Sequence, residues 1–204
     1  MIKKHHTPGF VFARLRQIAF QTTNPSAPWL TSESIEILDQ VIRRSDICVE
    51  FGSGKSTKWL ATRCAKLTSI EHDKNYFEMV TRQLEGFENV DVLFRPLDDR
   101  KKAGANYIEV IKALEDGSID VVLNDGKCRD NIALTSVDKL RSGGLLVIDN
   151  AERYLANEFE VPGSQGPIVE MMSENWREFS GVVESWRRIW SSNGVWTTLI
   201  LFKP

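Results

Sequence analysis

The stretch VEFGSGKSTKWLA, Val49 to Ala61, runs from a short apolar segment through two glycines into a helix-forming segment. A strand, a glycine-rich turn and a helix in this order form the ligand-binding unit of many open α/β folds. A phosphate-binding P-loop would need glycine at position 49, which holds Val49. A dinucleotide-binding turn would need a third glycine where Thr57 stands, so the sequence disfavours both interpretations.

Two carboxylates follow the predicted strands around this turn. Glu50 precedes Gly52 by two positions, and Glu71 ends the next strand, 19 residues after that glycine. Gly52 and Gly54 allow a ligand to approach the backbone closely, and a carboxylate at the end of the second strand can accept hydrogen bonds from ribose hydroxyls. The pattern indicates a ligand that has a ribose and an amino group but no pyrophosphate. S-adenosylmethionine meets this description.

Short apolar runs alternate with amphipathic stretches after residue 46. The runs predict strands over residues 47–51, 67–71, 90–94, 119–124 and 144–149. Helices are predicted over residues 55–66, 73–84 and about 106–114, and between the last two strands. In the second of these helices we expect Tyr76, Phe77, Val80 and Leu84 on the buried side. Strands that are apolar on both faces are typical of a parallel sheet covered by helices.

The C-terminal segments VVESWRRIW and VWTTLILF flank SSNG, in which Asn193-Gly194 favours a tight turn. They predict an antiparallel hairpin at the edge of the sheet. The fold class is therefore α/β, a Rossmann-like sandwich with a seven-stranded, mostly parallel sheet and an antiparallel C-terminal hairpin.

The first 45 residues differ from this pattern. Residues 1–30 are predicted to be irregular, since Thr22 to Leu30 contains two prolines and several turn formers. We expect Trp29 to anchor this arm on the domain, and a helix to begin near Thr31. The chain is accordingly divided into an N-terminal arm and helix, residues 1–45, and a cofactor-binding domain, residues 46–204.

Composition excludes several classes of protein. A chain of 204 residues that is 42% hydrophobic suits one globular core, and a net charge of −2 gives no general attraction to nucleic acid. Three cysteines without CxxC spacing argue against a disulfide framework or a zinc site. No apolar run is long enough for a membrane helix, and no signal peptide is visible. We expect a cytoplasmic protein that does not bind membranes.

The motifs VEFGSGKST, LTSIEHD, IDVVLNDG and GGLLVIDNAERY together resemble the class I S-adenosylmethionine-dependent methyltransferases. The resemblance covers the chain from about Ile47 to the C-terminus and is greatest to small bacterial methyltransferases with E-x-GSG-x-ST and S-[IV]-EHD motifs. NPSAPWLTSESI, Asn24 to Ile35, also resembles the segment that precedes the domain in those proteins. The combination implies the fold and the cofactor of that superfamily and says little about the acceptor.

The resemblance implies a role for each residue that matches its motifs. At the methionine end of the cofactor it places Glu50, Gly52 and Gly54, with Ser56 as a hydroxyl of the same loop. At the ribose and adenine it places Glu71, His72 and either Asp98 or Asp99. Asp125, which follows the fourth strand, would face the methionine and the transferred methyl group.

A weaker resemblance, to the catechol-type O-methyltransferases, concerns Asp125, Asp149 and Asn150. In that family such residues hold a divalent cation such as magnesium, which activates a substrate hydroxyl. The sequence departs from the family's pattern, because the lysine base expected three residues after the aspartate is replaced by Cys128. Lys127 precedes it, and Gly126 replaces a bulkier residue. These departures argue against a metal and leave Asp125 and Lys127 as the catalytic candidates.

We therefore expect an S-adenosylmethionine-dependent methyltransferase that acts on a small-molecule acceptor, with oxygen as the nucleophile. Three alternatives stay open: a nicotinamide-dependent oxidoreductase, a non-catalytic adenosyl-ligand binding module, and a protein or nucleic-acid methyltransferase. The near-neutral charge argues against a nucleic-acid partner. A homodimer formed through the N-terminal arm or the C-terminal hairpin is a further option.

Overall fold

A computed structural model of the chain describes residues 7–97, 105–169 and 172–204. Within these ranges, seven strands form one sheet in the order β3-β2-β1-β4-β5-β7-β6. The strands are β1 Ile47–Phe51, β2 Lys66–Glu71, β3 Val90–Phe94, β4 Ile119–Asn124, β5 Leu140–Asp149, β6 Arg187–Ser192 and β7 Thr197–Phe202. The first five are parallel, whereas β7 runs antiparallel to both β5 and β6. The predicted fold class is confirmed.

Helices cover both faces of the sheet. They are α1 Pro8–Thr23, α2 Ser32–Val41, α3 Lys55–Ala61, α4 Lys74–Gln83, α5 Ala105–Lys112, α6 Arg129–Lys139 and α7 Glu174–Val182. Successive residues of β5 point to opposite faces: Val147 packs in a cluster with side chains of α2, α3 and α4, and Ile148 packs with those of α5, α6 and α7. This two-sided burial is the reason why the strands are apolar throughout.

The order of the strands places the ligand site. The strand β1 pairs with β2 on one side and with β4 on the other. The chain adds β2 and β3 on one side of β1 and then crosses over to add β4 on the other side, so the strand order reverses between β1 and β4. Crevices for ligands form at the carboxyl ends of the strands beside such a switch point. Glu71 is the last residue of β2, and Gly52 and Asp125 directly follow β1 and β4.

Most of the predicted elements agree with the structure. The bounds of β1, β3 and β4 are those predicted, and Gly194 adopts a left-handed φ of +78° in the hairpin turn. The helix α3 ends earlier than predicted, at Ala61, and β5 begins earlier, at Leu140. The strand prediction for VVESWRRIW was wrong at its start, since Val182 ends the unforeseen helix α7.

The prediction of an irregular N-terminus was also wrong. Residues 8–23 form α1, in which Thr7 accepts a hydrogen bond from the backbone N–H of Phe10 at 3.2 Å and Pro8 opens the first turn. This helix buries Gln17 and exposes apolar side chains such as Phe12. Its sequence therefore shows no stripe that faces the core, and periodicity does not reveal it.

Trp29 was expected to anchor the N-terminal segment and does not. Its side chain is 57% exposed, whereas Leu30 is buried in the core beside Leu38 of α2. Tyr76 was expected on the buried side of α4 and is instead 49% exposed. Among the described residues, no helix is long and apolar enough to cross a membrane.

Candidate active site

A cavity of about 540 Å³ opens at the carboxyl ends of β1, β2 and β4. Its wall is formed by four parts of the chain. These are the loop after β1 from Gly52 to Ser56, the residues Glu71 to Asp73, the loop after β4 with Asp125, Gly126, Lys127 and Arg129, and a rim of Trp29, Leu30, Tyr76, Met79 and Gln83. The cavity thus joins most of the predicted cofactor residues that the structure describes.

The loop after β1 passes very close to the loop after β4. Gly52 has a left-handed φ of +92°, and a Cβ at this position would lie 2.9 Å from the carbonyl oxygen of Asp125. Backbone hydrogen bonds from Gly52 N to Ile70 O, 2.9 Å, and from Asp125 N to Phe51 O, 3.0 Å, hold the two loops in place. Gly52 is required here by both its conformation and the space available.

Glu50 lies behind this loop and does not line the cavity, although it was predicted at the methionine end. Its Oε2 accepts hydrogen bonds from the hydroxyls of Thr57 and Ser69, both at 2.6 Å, while Oε1 has no partner among the described residues. Burial raises the pKa of Glu50 to about 7, against the effect of these hydrogen bonds. Since Thr57 also accepts from Gly54 N at 2.8 Å, Glu50 supports the loop that lines the cavity.

Glu71 is buried at the cavity wall, and backbone N–H groups fix its carboxylate. Oε2 accepts from Ser53 N at 2.9 Å, and Oε1 accepts from His72 N and Asp73 N, both at 2.7 Å. A carboxylate can accept about four hydrogen bonds, so Oε2, which has a single donor, keeps capacity for a ligand hydroxyl. The loop geometry therefore orients Glu71 in advance of any ligand.

His72 also lies on the cavity wall, next to this carboxylate. Its Nδ1 is 2.8 Å from Glu71 Oε1, close enough for an ion pair, but the ring is not aligned to donate a hydrogen bond. The imidazole lies edge-on to the ring of Tyr107, with 6.2 Å between centroids. The other residues predicted at the adenine, Asp98 and Asp99, lie outside the described ranges.

Arg129 occupies the region of the cavity next to Asp125. Its Nη2 donates to the carboxylate and to the carbonyl oxygen of Asp125, the latter at 2.9 Å, and its Nη1 donates to Tyr154 Oη at 3.2 Å. Burial raises the pKa of Asp125, whereas the neighbouring guanidinium opposes that rise. Lys127, the other catalytic candidate, lies on the same wall.

Asp149 and Asn150 do not line the cavity. Asp149 is buried and accepts a hydrogen bond from Thr198 Oγ1 at 2.9 Å, and burial raises its pKa well above the usual range. Asn150 adopts a left-handed φ of +53° and starts a short 3-10 turn, Ala151–Arg153. With Asp125 paired to Arg129 and Asp149 bonded to Thr198, the three residues predicted to bind magnesium do not fit a divalent cation.

Sequence reasoning missed several residues of the site. Trp29, Tyr76 and Met79 form an apolar rim at the cavity. Tyr76, Met79 and Gln83 follow one another at spacings of three and four along α4 and so share one side of the helix, which is a signal that could have grouped them. The pairing of Arg129 with Asp125 has no signal in the sequence, because it depends on how the loop after β4 folds.

No protein-family model matches the sequence, and no curated protein matches it. Solved structures do match. A candidate caffeoyl-CoA O-methyltransferase from Staphylococcus aureus is 15% identical with a TM-score of 0.60, and the match covers 98% of this chain and 94% of that protein. An rRNA methylase from Streptococcus thermophilus is 16% identical with a TM-score of 0.59, covering 87% of this chain and 99% of its own.

A third structure is that of a candidate methyltransferase from Streptococcus mutans in complex with SAH. It is 13% identical with a TM-score of 0.53, and the match covers 84% of this chain and 96% of that protein. At these identities the likeness concerns the fold. The sheet order, the terminal hairpin and these matches agree, and the chain has the fold of the class I S-adenosylmethionine-dependent methyltransferases.

Proposed function

We propose that the protein is an S-adenosylmethionine-dependent methyltransferase that acts on a small-molecule acceptor, with oxygen as the nucleophile. One observation carries the proposal. A carboxylate held by backbone N–H groups, Glu71, lines the same cavity as the glycine loop after β1 and Asp125, at the switch point of a methyltransferase fold. The methyltransferase of that fold from Streptococcus mutans is seen in complex with SAH.

The wall of the cavity fits the parts of this cofactor. Glu71 Oε2 would accept a hydrogen bond from a ribose hydroxyl, since its other donor is the backbone N–H of Ser53. The backbone of Gly52 and Gly54 would approach the methionine part, and Ser56 lines the same space. The imidazole of His72 would contact the adenine. Glu50, fully buried behind the loop, would act on the ligand through its charge and through Thr57 rather than by direct contact.

Bound S-adenosylmethionine would supply a methyl group on a positively charged sulfur. The residues of this chain have to hold the acceptor oxygen in line with that group and to receive its proton. Asp125 and Lys127, on the wall beyond the glycine loop, are the candidates for this proton. The raised pKa of Asp125 would help it to accept the proton, while Arg129 fixes its orientation. Positioning of this kind contributes much of the rate in transfer reactions.

Calorimetric titration with S-adenosylhomocysteine tests the cofactor assignment. We expect one molecule to bind the unaltered protein, and Glu71→Gln to weaken binding by at least about tenfold, because the amide cannot accept as many hydrogen bonds as the carboxylate. Glu78→Gln, at an exposed position on the neighbouring helix α4, is the matched control and should bind normally. An unaltered protein that does not bind would refute the proposal. Equal binding by Glu71→Gln would refute the ribose assignment alone.

An RNA acceptor is the second candidate function. The rRNA methylase from Streptococcus thermophilus has the same fold over nearly its whole length, which favours it. The net charge of −2 weighs against it, because binding to RNA relies on neutralising many phosphates. Incubation with S-[methyl-³H]-adenosylmethionine and total RNA separates the two functions: label in the RNA would favour this candidate over a small-molecule acceptor.

The division at residue 45 and the dimer remain proposals. Leu30 and Leu38, from the N-terminal part, are buried in one cluster with Leu60 and Val147 of the sheet domain. We therefore propose that the described part of the N-terminal segment, residues 7–45, folds together with the domain rather than as a separate unit. Sedimentation analysis with Phe12→Ser, an exposed side chain of α1, would test a dimer through the N-terminal helix.

A further inference from the structure

Trp29 exposes more of its side chain to solvent than any other tryptophan of the chain. All six tryptophans lie in the described ranges, and the remaining five are buried or half-buried. Trp29 borders the main cavity, as do Tyr76 and Met79, whose exposed fractions are 49% and 39%. Large apolar side chains at the edge of a cavity are typical of a surface that a ligand covers.

The backbone around Trp29 is fixed on both sides. Pro28 precedes it and restricts the chain, and Leu30 follows it in the core. The N–H of Thr31 then donates to Thr198 Oγ1 at 3.2 Å, and this hydroxyl donates to Asp149 Oδ1 at 2.9 Å. The backbone two residues after Trp29 is thus tied, through buried hydrogen bonds, to the carboxyl end of β5. That end of the sheet lies on the side of β4, away from the ribose-binding Glu71.

Near this tryptophan the lysine side chains lack ion-pair partners among the described residues, whereas the carboxylates of the cavity wall have partners. Lys55 Nζ lies 6.0 Å from the centroid of the Trp29 ring, and neither Lys55 nor Lys127 forms an ion pair with another described residue. The carboxylates of the wall, in contrast, are engaged. Backbone N–H groups hold Glu71 and Asp73, and Arg129 pairs with Asp125. An anionic group would therefore complement the Trp29 end of the cavity.

We infer that Trp29 and Lys55 form the acceptor subsite, and that the acceptor is a planar aromatic molecule with an anionic substituent. The ring stacks on the indole, and the anionic group contacts the ammonium of Lys55. Stacking and one ion pair at a partly exposed site each change the affinity by about fivefold, enough to select for planarity and charge without tight binding. The inference rests on the proposed function, since it identifies the acceptor of that same cavity.

The experiment is ¹⁹F NMR of the full chain labelled with 5-fluorotryptophan, in the presence of saturating S-adenosylhomocysteine. Six resonances are expected, and the one missing from Trp29→Phe is that of Trp29. The probe is 4-hydroxybenzoate, which is planar and anionic. Two matched compounds isolate its features: 4-hydroxybenzyl alcohol is planar and neutral, and 4-hydroxycyclohexanecarboxylate is anionic and not planar.

We expect 4-hydroxybenzoate to shift the Trp29 resonance in a saturable way and to bind at least about fivefold more tightly than either matched compound. Lys55→Met should remove the preference for 4-hydroxybenzoate over the neutral alcohol, and Lys58→Met, on the same helix, should keep it. Trp29→Ala has no such resonance, so its binding is measured by calorimetry, in which it should lose 4-hydroxybenzoate and keep S-adenosylhomocysteine.

Two results would overturn the inference. The first is a Trp29 resonance that no aromatic probe shifts although S-adenosylhomocysteine binds by calorimetry. The second is a resonance that S-adenosylhomocysteine alone shifts fully, which would show that the cofactor covers the indole. In both cases the proposed methyltransferase function would stand. Failure of S-adenosylhomocysteine to bind would instead remove the proposed function, whatever the aromatic probes do.

Discussion

The phenol oxygen of Tyr107 occupies the space that a side chain at Gly126 would need. A Cβ built on Gly126 would lie 2.1 Å from Tyr107 Oη and 3.0 Å from the carbonyl carbon of Phe51. Tyr107 comes from α5 and is fully buried, and its ring packs edge-on against Phe51 with 5.2 Å between centroids. The tyrosine packs against the loop after β4, and it can do so because residue 126 is a glycine and has no side chain.

Gly126→Ala should therefore destabilise the protein strongly. We expect a loss of about 2–3 kcal/mol in the free energy of unfolding, since the added methyl group forces buried groups apart. Tyr107→Phe removes the clashing oxygen, at the cost of its long hydrogen bond to Ile70 O, 3.4 Å, and of its hydrogen bond with the backbone of Lys127. In urea denaturation, the double variant should lose at least about 1 kcal/mol less than the sum of the single variants. Strict additivity would contradict the shared space.

Gly52 and Gly54 should respond differently to the same substitution. Gly52→Ala places a side chain at a φ of +92° and 2.9 Å from Asp125 O, so we expect a loss of about 2 kcal/mol or more in stability. Gly54 has an extended backbone, and a Cβ there would meet nothing within 4 Å. The free energy of unfolding of Gly54→Ala should therefore lie within about 0.5 kcal/mol of that of the parent protein. Equal thermal stability of the two variants would argue against the observed loop.

Glu50 should make the protein less stable as the pH rises through the range in which its carboxyl group is ionised in the unfolded chain and still protonated in the folded one. Its pKa is about 7 in the folded chain against 4.5 for the unperturbed group, so between these values the unfolded chain has released a proton that the native state still holds. The free energy of unfolding should fall by about 3 kcal/mol between pH 4.5 and pH 7 from this group and level off above.

Glu50→Gln removes that titration and serves as the comparison. The difference in unfolding free energy between Glu50→Gln and the parent protein should grow with pH over this range and then stay constant. Placing an amide beside Ser69 and Thr57 has a cost that does not depend on pH, so it does not affect how the difference in unfolding free energy changes with pH. Denaturation curves at several pH values that run parallel for the two proteins would show that Glu50 is ionised in the native state.

Arg129 should contribute to stability as the counter-charge of a half-buried carboxylate. Arg129→Met leaves Asp125, whose side chain is 33% exposed, without its partner, for which we expect a loss of about 1–2 kcal/mol. Lys66→Met breaks the exposed pair with Asp91, 3.8 Å long, and should cost less than about 1 kcal/mol. Chemical denaturation at pH 7 measures both. Similar losses for the two variants would show that the burial of the Arg129 pair adds nothing to the free energy of unfolding.

The same pairing predicts that binding of S-adenosylhomocysteine is insensitive to magnesium. Because the guanidinium of Arg129 already neutralises Asp125, and Thr198 donates to Asp149, a divalent cation gains no ligand set between them. Calorimetric titrations in excess magnesium and in EDTA should yield the same affinity. A tighter complex with magnesium would contradict the observed role of Arg129.

The sequence alone was sufficient for the parts of the fold that have a local signal. The strands β1, β3 and β4 are apolar runs bounded by turn formers, and Asn193-Gly194 marks the hairpin. The glycine turn after β1 and the carboxylate at the end of β2 also depend on neighbours in the chain, so their spacing identified Gly52 and Glu71. These features can be predicted because short-range backbone preferences and the period of a strand are determined by consecutive residues.

Only the tertiary structure decided which side chains line the cavity. Whether Glu50 lines the cavity or lies behind it depends on Ser69 and Thr57, and whether Asp125 is free depends on Arg129. The exposure of Trp29 follows from the burial of Leu30 between α2 and the sheet, and the helix α1 buries almost nothing that a pattern could reveal. Burial, charge pairing and strain are set by groups brought together from distant parts of the chain, which no local pattern encodes.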